Sequence, residues 1–403
     1  MNVHPLTLHR PVNGAATQFT SAPPLSLYVH LPWCVRKCPY CDFNSHTAGD
    51  DLPQGDYVAA LLCDLEADLP RVWGRPVSSV FIGGGTPSLF SPDVIGRLLS
   101  DLRARLPLLA GAEITLEANP GTLDTARLQG FRDAGVNRLS LGVQSFSDAQ
   151  LRALGRIHDA DAARRAIEVA LASGFERVNI DLMFGLPGQD VALAVADLDA
   201  ALAYDTGHVS WYQLTLEPNT VFHSRPPVLP QPELMEAIYE AGLRRLAAGG
   251  YRRYEVSAYA RAGQECQHNL NYWQFGDYLG IGAGAHGKLT VPDGIVRLAK
   301  YRLPQTYMTR ARAGDAIAEQ RFLSIDERAF EFLLNALRLR AGFTWAQFRE
   351  RTGLSLTAIR PRLEQAAQRG LLTLDRQGAC ATERGFDLLD SVLEDFLPTA
   401  TPA

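Results

Sequence analysis

Three of the chain's six cysteines lie within eight residues, in the run CVRKCPYC that contains Cys34, Cys38 and Cys41. Three thiolates on one short loop can all face one centre, so this spacing indicates a metal ion or an iron–sulfur cluster. The alternating apolar residues of 25–31 predict a β-strand directly before the loop. That strand would present the three thiols at its carboxyl end.

The residues of the loop leave three interpretations open. A zinc site would take a fourth ligand, which His30 or His46 could supply. The run Cys38-Pro-Tyr-Cys41 taken alone is what a glutaredoxin carries, which indicates a dithiol redox site. An iron–sulfur cluster held by three cysteines would leave its fourth iron open for another ligand.

The composition is that of an ordinary globular protein. Its 403 residues, 46% apolar and 21% charged, are enough for one large domain and a smaller one. A formal charge of −5 gives no general basic field, so nucleic-acid binding is not indicated. No apolar run reaches the ~18 residues of a membrane span, and the first 24 residues lack the apolar core of a secretory signal. We therefore expect a cytoplasmic protein, whose cysteines are kept reduced.

Strand and helix patterns alternate through the first half of the chain. The predicted strands lie at 25–31, 77–82, 114–116, 138–143, 178–183 and 209–216. Strand–helix alternation predicts parallel strands with right-handed crossovers, and therefore an α/β fold with six units. The count suits a barrel, open or closed, and a flat doubly wound sheet is the alternative.

The remaining sequence predicts a second, smaller domain. We expect a loose tail at 1–24, the barrel domain at 25–290, a connector at 291–325 and a C-terminal domain at 326–403. Before the connector come a predicted strand at 254–258, a loop at 266–273 and a glycine-rich stretch at 280–286. The C-terminal domain shows three helical patterns and then a hairpin pattern, which is the winged-helix order, so an α+β domain is expected there.

Polar residues and glycines follow the predicted strands, where ligands bind in parallel strand–helix folds. These features are the cysteine loop, the run Gly83–Pro87, Glu117, Gln144, Asp181 and Thr215. Glycines let backbone amides approach a ligand, and the polar side chains could hold the hydroxyl and amine groups of a ribosyl ligand. Each feature alone has a plainer explanation as a turn or a helix cap. Together they predict one site on one rim.

The strand and the C-x3-C-x2-C loop together resemble the radical SAM signature. The run Tyr28-Val-His-Leu-Pro is similar to that of the oxygen-independent coproporphyrinogen III oxidases and their relatives, the HemW heme chaperones. The oxidases carry a further cysteine two residues after the third one, where this chain has Phe43, and this departure favours the HemW branch.

The resemblance implies a fold and two cofactors. The fold would be an open six-unit (β/α) barrel with a C-terminal winged-helix-like domain. A [4Fe-4S] cluster would be held by Cys34, Cys38 and Cys41, and S-adenosylmethionine would bind its open iron. The positions that match the family's S-adenosylmethionine contacts are Tyr28, Tyr40, Gly84, Gly85, Thr86, Glu117, Gln144, Arg156, Asp181 and Thr215.

A second resemblance concerns heme. The run HNLNYW fits the H-N-x-x-Y-W motif of HemW, which implies that His268 binds heme iron while Tyr272 and Trp273 pack against the porphyrin. From the residues alone, a polar loop whose aromatic side chains plug the barrel is the plainer interpretation. His286 and Cys266 are the next candidates for the iron ligand.

The implied function is that of a heme chaperone without coproporphyrinogen oxidase activity. Its partners would be heme and apo-hemoproteins of the respiratory chain, met at the cytoplasmic membrane surface, and whether heme binds one chain or a homodimer stays open. The alternative within heme biosynthesis is coproporphyrinogen III oxidase, which decarboxylates two propionates by radical chemistry. A regulator that uses the C-terminal wing has only Arg360, Arg362 and Arg369 in its favour, and a solvated helix face explains those better.

Overall fold

The computed structural model describes residues 19, 21–49 and 51–398. Most of the predicted tail at 1–24 lies outside these residues. Strand β1 (Leu25–Leu31) comes first, as its alternating pattern predicts. Two short strands, β2 (Trp33–Cys34) and β3 (His46–Thr47), pair in parallel and bracket the cysteine-bearing segment.

Five further strands lie parallel to one another and to β1, and helices alternate with them. These strands are β4 (Val77–Gly84), β5 (Leu108–Ala118), β6 (Arg138–Gln144), β7 (Arg177–Phe184) and β8 (Gly207–Gln213). The helices up to the end of this region are α1 (Gln54–Asp68), α2 (Pro92–Arg105), α3 (Thr125–Asp133), α4 (Asp148–Ala153), α5 (Ala160–Ala172), α6 (Val191–Leu202), α7 (Val221–Ser224) and α8 (Pro232–Ala248). Single 3₁₀ turns lie at Leu69–Arg71, Pro87–Leu89, Pro120–Thr122 and Leu356–Ala358.

Local sequence signals set several of these boundaries. Helix α2 begins as its sequence predicts, because the Ser91 side chain accepts a hydrogen bond from the Val94 amide and Pro92 occupies the first helical position. Strand β8 ends at Gln213 and not at 216, so the predicted sixth strand was three residues too long. The apolar residues of the parallel strands pack against the helices in one continuous core.

The six strands β1, β4, β5, β6, β7 and β8 are neighbours in chain order. A doubly wound sheet would reverse its strand order at a switch point, so that alternative is wrong. Residues at the carboxyl ends of β4 to β8 line one shared cavity, which requires the sheet to curve around it. The sheet nevertheless has two free edges, and the architecture is therefore an open six-unit (β/α) barrel.

The sheet continues beyond the six units at both edges. At one edge are β9 (Arg252–Glu255) and β10 (Ala258–Ala260), a hairpin where one strand at 254–258 was predicted. At the other edge, β11 (Asp277–Ile281) lies parallel to β1 and is followed by antiparallel β12 (His286–Val291), β13 (Gly294–Lys300) and β14 (Ile317–Phe322). In the sequence, helix α9 (Gln267–Trp273) lies between β10 and β11. The predicted loop at 266–273 is therefore mostly helical.

The expected connector at 291–325 is part of the large sheet. It contributes β13, β14 and helix α10 (Pro304–Arg312). Its pattern was not recognisable because β14 has no fully buried residue and carries three consecutive polar residues, Glu319, Gln320 and Arg321. Lys300 of β13 lies fully buried between Asp64 and Asp68 of α1, at 2.5 and 2.6 Å. This buried pairing makes the segment integral to the barrel domain.

A second core forms in the C-terminal region around Phe332, Phe348 and Leu363. Its elements are α11 (Ile325–Ala336), β15 (Phe343–Thr344), α12 (Trp345–Thr352), α13 (Arg360–Gln368), β16 (Leu372–Leu374), β17 (Gly378–Ala381), α14 (Glu383–Asp387) and α15 (Leu389–Glu394). Strands β15, β17 and β16 form one small antiparallel sheet, which gives the winged-helix-like order of three helices and a hairpin. None of the helices within the described ranges is long and apolar enough to cross a membrane.

The buried pairing of Lys300 yields a stability prediction. Replacing Lys300 by Met leaves Asp64 buried without its cation and leaves Asp68 paired only with the partly exposed Arg71, so the free energy of unfolding should fall by about 3–5 kcal/mol in urea titrations. The control is Arg310→Met, because Arg310 and its partner Asp315 are both half exposed, and it should cost less than about 1 kcal/mol. Equal losses for the two variants would contradict this role of Lys300.

Candidate functional site

The cysteine loop is held by backbone pairing at its base. The parallel pairing of β2 with β3 closes the loop, and the Cys41 amide donates to the Cys38 carbonyl at 3.1 Å within it. The thiols of Cys34, Cys38 and Cys41 are all partly buried and unpaired by disulfides. They line one cavity of about 360 Å³, which we name the thiol cavity.

The surroundings of the thiols suit thiolate ligands. Arg156 donates a hydrogen bond to the Cys38 sulfur at 3.7 Å, so a cation is in place to offset part of the charge of a metal-bound sulfur. Burial raises the pKa of the Cys34 and Cys41 thiols, so without a bound metal these two are held as thiols. A bound metal centre would displace those protons.

The spacing of the thiols bears on the zinc alternative. In residues 19, 21–49 and 51–398, no three side chains of His, Cys, Asp or Glu are placed so that they could hold a single metal ion. An iron–sulfur cluster makes a different demand, because each thiolate binds a different iron of a larger body. The donor set of three thiols around one cavity fits such a cluster.

Most of the rim residues expected from the sequence share the thiol cavity. Those that line it are Tyr40, Gly84, Gly85, Thr86, Glu117, Gln144, Arg156 and Asp181. Two do not. Tyr28 lines a neighbouring cavity, and Thr215 lies exposed beyond the end of β8, outside both cavities.

The amides of the glycine run are not free for a ligand, contrary to the reason offered from the sequence. The Gly84 amide donates to the Glu117 carboxyl at 3.0 Å, and the Gly85 amide donates to the Leu31 carbonyl at 2.8 Å. A Cβ on Gly85 would meet the Trp33 carbonyl at 2.5 Å. These glycines therefore let β4 and the cysteine loop approach closely, and both line the thiol cavity.

Two partly buried carboxyl groups, Glu117 and Asp181, line the thiol cavity. Burial, with a smaller contribution from the neighbouring Asp181, raises the pKa of Glu117 to about 8. Asp181 accepts hydrogen bonds from Asn179 at 2.7 Å and from Ser140 at 3.1 Å, and burial raises its pKa as well. A polar or cationic ligand could take up the acceptor capacity that is left on this pair, as functional sites with shifted pKa values commonly do.

Gln144 and Arg156 line the same cavity, and Gln144 ends β6, the strand between those of Glu117 and Asp181. Gln144 has a φ of +71°, a strained conformation for a residue that is not glycine, and its side chain accepts from the Tyr212 hydroxyl at 2.7 Å. Arg156 also donates to the Gly142 carbonyl at 2.6 Å, while its buried Nε has no hydrogen-bond partner. Strain and an unpartnered donor in one wall are typical of a binding site.

The three residues expected to bind heme, His268, Tyr272 and Trp273, lie in three different places in the structure. Tyr272 lines a second cavity of about 420 Å³, which we name the aromatic cavity, and Trp273 lines the thiol cavity. His268 is only 1% exposed and lines neither cavity. Its Nδ1 lies 3.0 Å from the Ser79 hydroxyl, and burial lowers its pKa to about 3. The prediction that His268 reaches heme iron is therefore not supported, because α9 turns this side chain into the barrel.

The aromatic cavity lies beside the thiol cavity, and Phe43, Gly84 and Glu117 line both. Its wall includes Tyr28, Tyr272, Tyr278, His286 and Arg302. Phe43, the residue that stands where the oxidases carry cysteine, is 60% exposed. The two cavities therefore meet at Phe43, Gly84 and Glu117.

Sequence reasoning missed several residues of the site. Ser140 and Tyr212 line the thiol cavity, and both lie at period-two positions on strands already predicted, so that signal was present. Arg338 reaches the same cavity from just beyond α11, with its guanidinium over the Trp273 ring at 4.4 Å. No local pattern indicates that contribution, because it depends on how the C-terminal region packs against the barrel.

Comparison with known proteins agrees with this geometry. Residues 28–201 match the Radical SAM superfamily, and residues 323–388 match the HemN C-terminal domain. The heme chaperone HemW of Escherichia coli is 51% identical over 376 residues, which cover 93% of this chain and 98% of that protein. The chain belongs to the HemW family.

Other members and relatives extend the HemW match. The heme chaperone HemW of Haemophilus influenzae is 47% identical, again over 93% of this chain and 98% of that protein. The mitochondrial radical S-adenosyl methionine domain-containing protein 1 of Bos taurus is 39% identical over 92% of this chain and 87% of its own length. Family membership therefore covers both the barrel and the C-terminal region.

The fold of this HemW family member is that of coproporphyrinogen III oxidase (HemN) from Escherichia coli. The two structures superpose with a TM-score of 0.79 over 94% of this chain and 92% of the other, at 24% sequence identity. At that identity the likeness establishes the fold alone.

The raised pKa of Glu117 gives this HemW-family site a testable pH dependence. A carboxyl whose pKa rises from 4.5 to about 8 on folding contributes stability at low pH that is lost as the pH rises through that window. Glu117→Gln removes this loss, so its stability advantage over wild type should grow between pH 5 and pH 8, by up to about 1.4 kcal/mol per pH unit. Urea unfolding of the ligand-free protein measures it.

A matched control for this measurement is Glu168→Gln, on the exposed face of α5. Its unfolding free energy should follow the wild-type pH profile in parallel. A Glu117→Gln profile that also runs parallel to wild type would contradict the raised pKa.

Proposed function

We propose that this protein is a heme chaperone that carries a [4Fe-4S] cluster and S-adenosylmethionine in the thiol cavity. It would hold heme and pass it to acceptor hemoproteins such as respiratory cytochromes. The observation that carries the proposal is the convergence of three cysteines and the polar strand ends on one cavity, joined through Phe43 to an aromatic one. The 51% identity to the heme chaperone HemW of Escherichia coli supports the same function.

The cluster would be held by Cys34, Cys38 and Cys41, with its fourth iron open to S-adenosylmethionine. When bound, this pair of cofactors supplies one-electron chemistry. The protein's part is to hold the thiolates and to shield them. Arg156 compensates thiolate charge at Cys38, and the partial burial of the three sulfurs limits their contact with solvent.

Side chains of the thiol cavity would orient S-adenosylmethionine. Glu117 and Asp181 offer acceptors for its ribosyl hydroxyl and amine groups, and the cationic ligand would favour their ionised forms. Gly84, Gly85 and Thr86 leave room beside the thiols. Tyr40, Gln144 and Arg156 line the same cavity. The position of Thr215 outside the cavity does not support a contact, and Tyr28 would contribute only from the aromatic side.

The acceptors would be apo-hemoproteins of the respiratory chain, reached from the cytoplasm at the membrane surface. A nucleic-acid regulator finds no support in the C-terminal arginines. Arg360 pairs with Glu364 at 2.8 Å, and Arg369 pairs with Asp395. Carboxylates thus compensate two of the three charges on which such a reading would depend.

A direct test compares the two functions of the family. Protein purified without oxygen and loaded with cluster should retain added heme through gel filtration. With reductant, S-adenosylmethionine and coproporphyrinogen III, it should form no protoporphyrinogen. Clear turnover of coproporphyrinogen would assign the oxidase function instead, and failure to retain heme would contradict the chaperone.

The cluster has its own test by substitution. Replacing Cys34, Cys38 or Cys41 by Ala should abolish the iron–sulfur absorbance, because three thiolates are the whole protein-derived ligand set. Cys63→Ala, on helix α1 away from the cavity, is the matched control and should keep iron and sulfide at the wild-type level. Zinc in place of iron after anaerobic reconstitution would overturn the assignment.

A further inference from the structure

The aromatic cavity combines three kinds of group that a metalloporphyrin needs. Flat apolar faces come from Tyr272, Tyr278 and the exposed Phe43. The two tyrosine rings pack edge to face, with their centroids 4.4 Å apart. An imidazole comes from His286 and a guanidinium from Arg302. The volume of about 420 Å³ is within the usual range for small-molecule sites.

The imidazole of His286 is free to bind a metal. The residue begins β12 and is exposed, and neither ring nitrogen has a hydrogen-bond partner among the described residues. Partial burial and the nearby Arg297 and Arg302 lower its pKa, which favours the neutral ring that coordinates metals.

The other histidines near the barrel mouth are not available in the same way. His30 also lines the aromatic cavity, but its Nδ1 bonds the Tyr28 hydroxyl and its Nε2 donates to the Asn44 carbonyl, both at 2.9 Å. His268 is enclosed, as described above. His286 is therefore the histidine of this wall with an unused nitrogen.

Arg302 is placed to meet an anionic edge. Its guanidinium is exposed and makes no ion pair or hydrogen bond within the described part of the chain, whereas the neighbouring Arg297 is engaged by Glu331 and Tyr278. The carboxyls on this wall are Glu117, whose pKa of about 8 keeps it largely protonated at neutral pH, and Asp42, which is exposed to solvent. A carboxylate ligand would therefore be drawn to the Arg302 side.

We infer that heme occupies the aromatic cavity, with the His286 imidazole on its iron and Arg302 on a propionate. This inference rests on the heme-chaperone function proposed above and assigns the ligand that the HNLNYW motif does not provide. The macrocycle would lie against Phe43, Tyr272 and Tyr278, next to the thiol cavity.

The test is titration of cluster-loaded protein with heme, monitored by absorption spectra and by transfer of heme to apomyoglobin. His286→Ala should change the heme spectrum and speed heme loss at least tenfold, because it removes the iron ligand. Added imidazole should restore the wild-type spectrum of this variant. Arg302→Gln should speed heme loss severalfold and leave the spectrum unchanged, because it removes only a charge-assisted hydrogen bond.

Two further variants decide between outcomes. His223→Ala, an exposed histidine on α7 that lines neither cavity, should behave as wild type. His268→Ala should leave the heme spectrum unchanged. Iron and sulfide content checks that each variant is folded around its cluster.

The results separate this inference from the function on which it rests. Wild-type protein that takes up no heme would overturn the chaperone function and this site with it. Wild-type protein that binds heme, together with a His286→Ala variant of identical spectrum and rate, would overturn the site alone. A spectral change in His268→Ala and not in His286→Ala would show that His268, in the barrel interior, is the iron ligand, and would overturn the site.

Discussion

The site depends on close backbone packing around a loop that has little regular structure of its own. A Cβ on Gly282 would meet the His30 carbonyl at 2.4 Å, and one on Gly284 would meet the Asn44 side chain at 2.5 Å. Both glycines also have positive φ, at +111° and +77°. The turn between β11 and β12 therefore requires glycine at both positions, for the backbone conformation as well as for the close contact. Asn44 then donates to the carbonyls of Ala283 and Arg302, at 2.9 and 2.8 Å. This packing fixes the cysteine loop against the turn that follows β11.

Helix α9 packs against β1, β4 and β11, and its residues differ in whether they reach the two cavities. Glu113 anchors the helix from below, because it accepts from the His268 amide at 3.1 Å and pairs with Arg177 at 3.3 Å. The buried carboxylate is thereby compensated, as a charge in a barrel interior must be. The same anchoring directs Tyr272 and Trp273 upward into the two cavities while it encloses His268. One short helix therefore decides which residues of the motif can meet a ligand.

The sequence predicts those parts of the fold whose signal is local. The six parallel strands follow from apolar patterns and turn residues, and the rim follows because parallel strands share one carboxyl edge. Helix α9 was missed because its seven residues make barely two turns, which is too short for an apolar period to show in the sequence. Strand β14 was missed because its pairing with β13 is not encoded in its own polar residues. The orientation of His268 and the position of Arg338 in the wall of the thiol cavity depend on tertiary packing, which a local sequence pattern does not predict.

The shared wall of the two cavities has a physical consequence. Phe43 and Asn44 follow Cys41 directly in the same loop, so the segment that carries the thiols also forms part of the aromatic cavity. The Asn44 carbonyl accepts from His30 and the Asn44 side-chain amide donates to the Arg302 carbonyl, so this one residue holds two parts of the aromatic-cavity wall. A shift of the loop when a cluster binds would therefore move Phe43 and Asn44 together. Coupling between the two cavities thus needs no long pathway, because a single turn of the chain belongs to both.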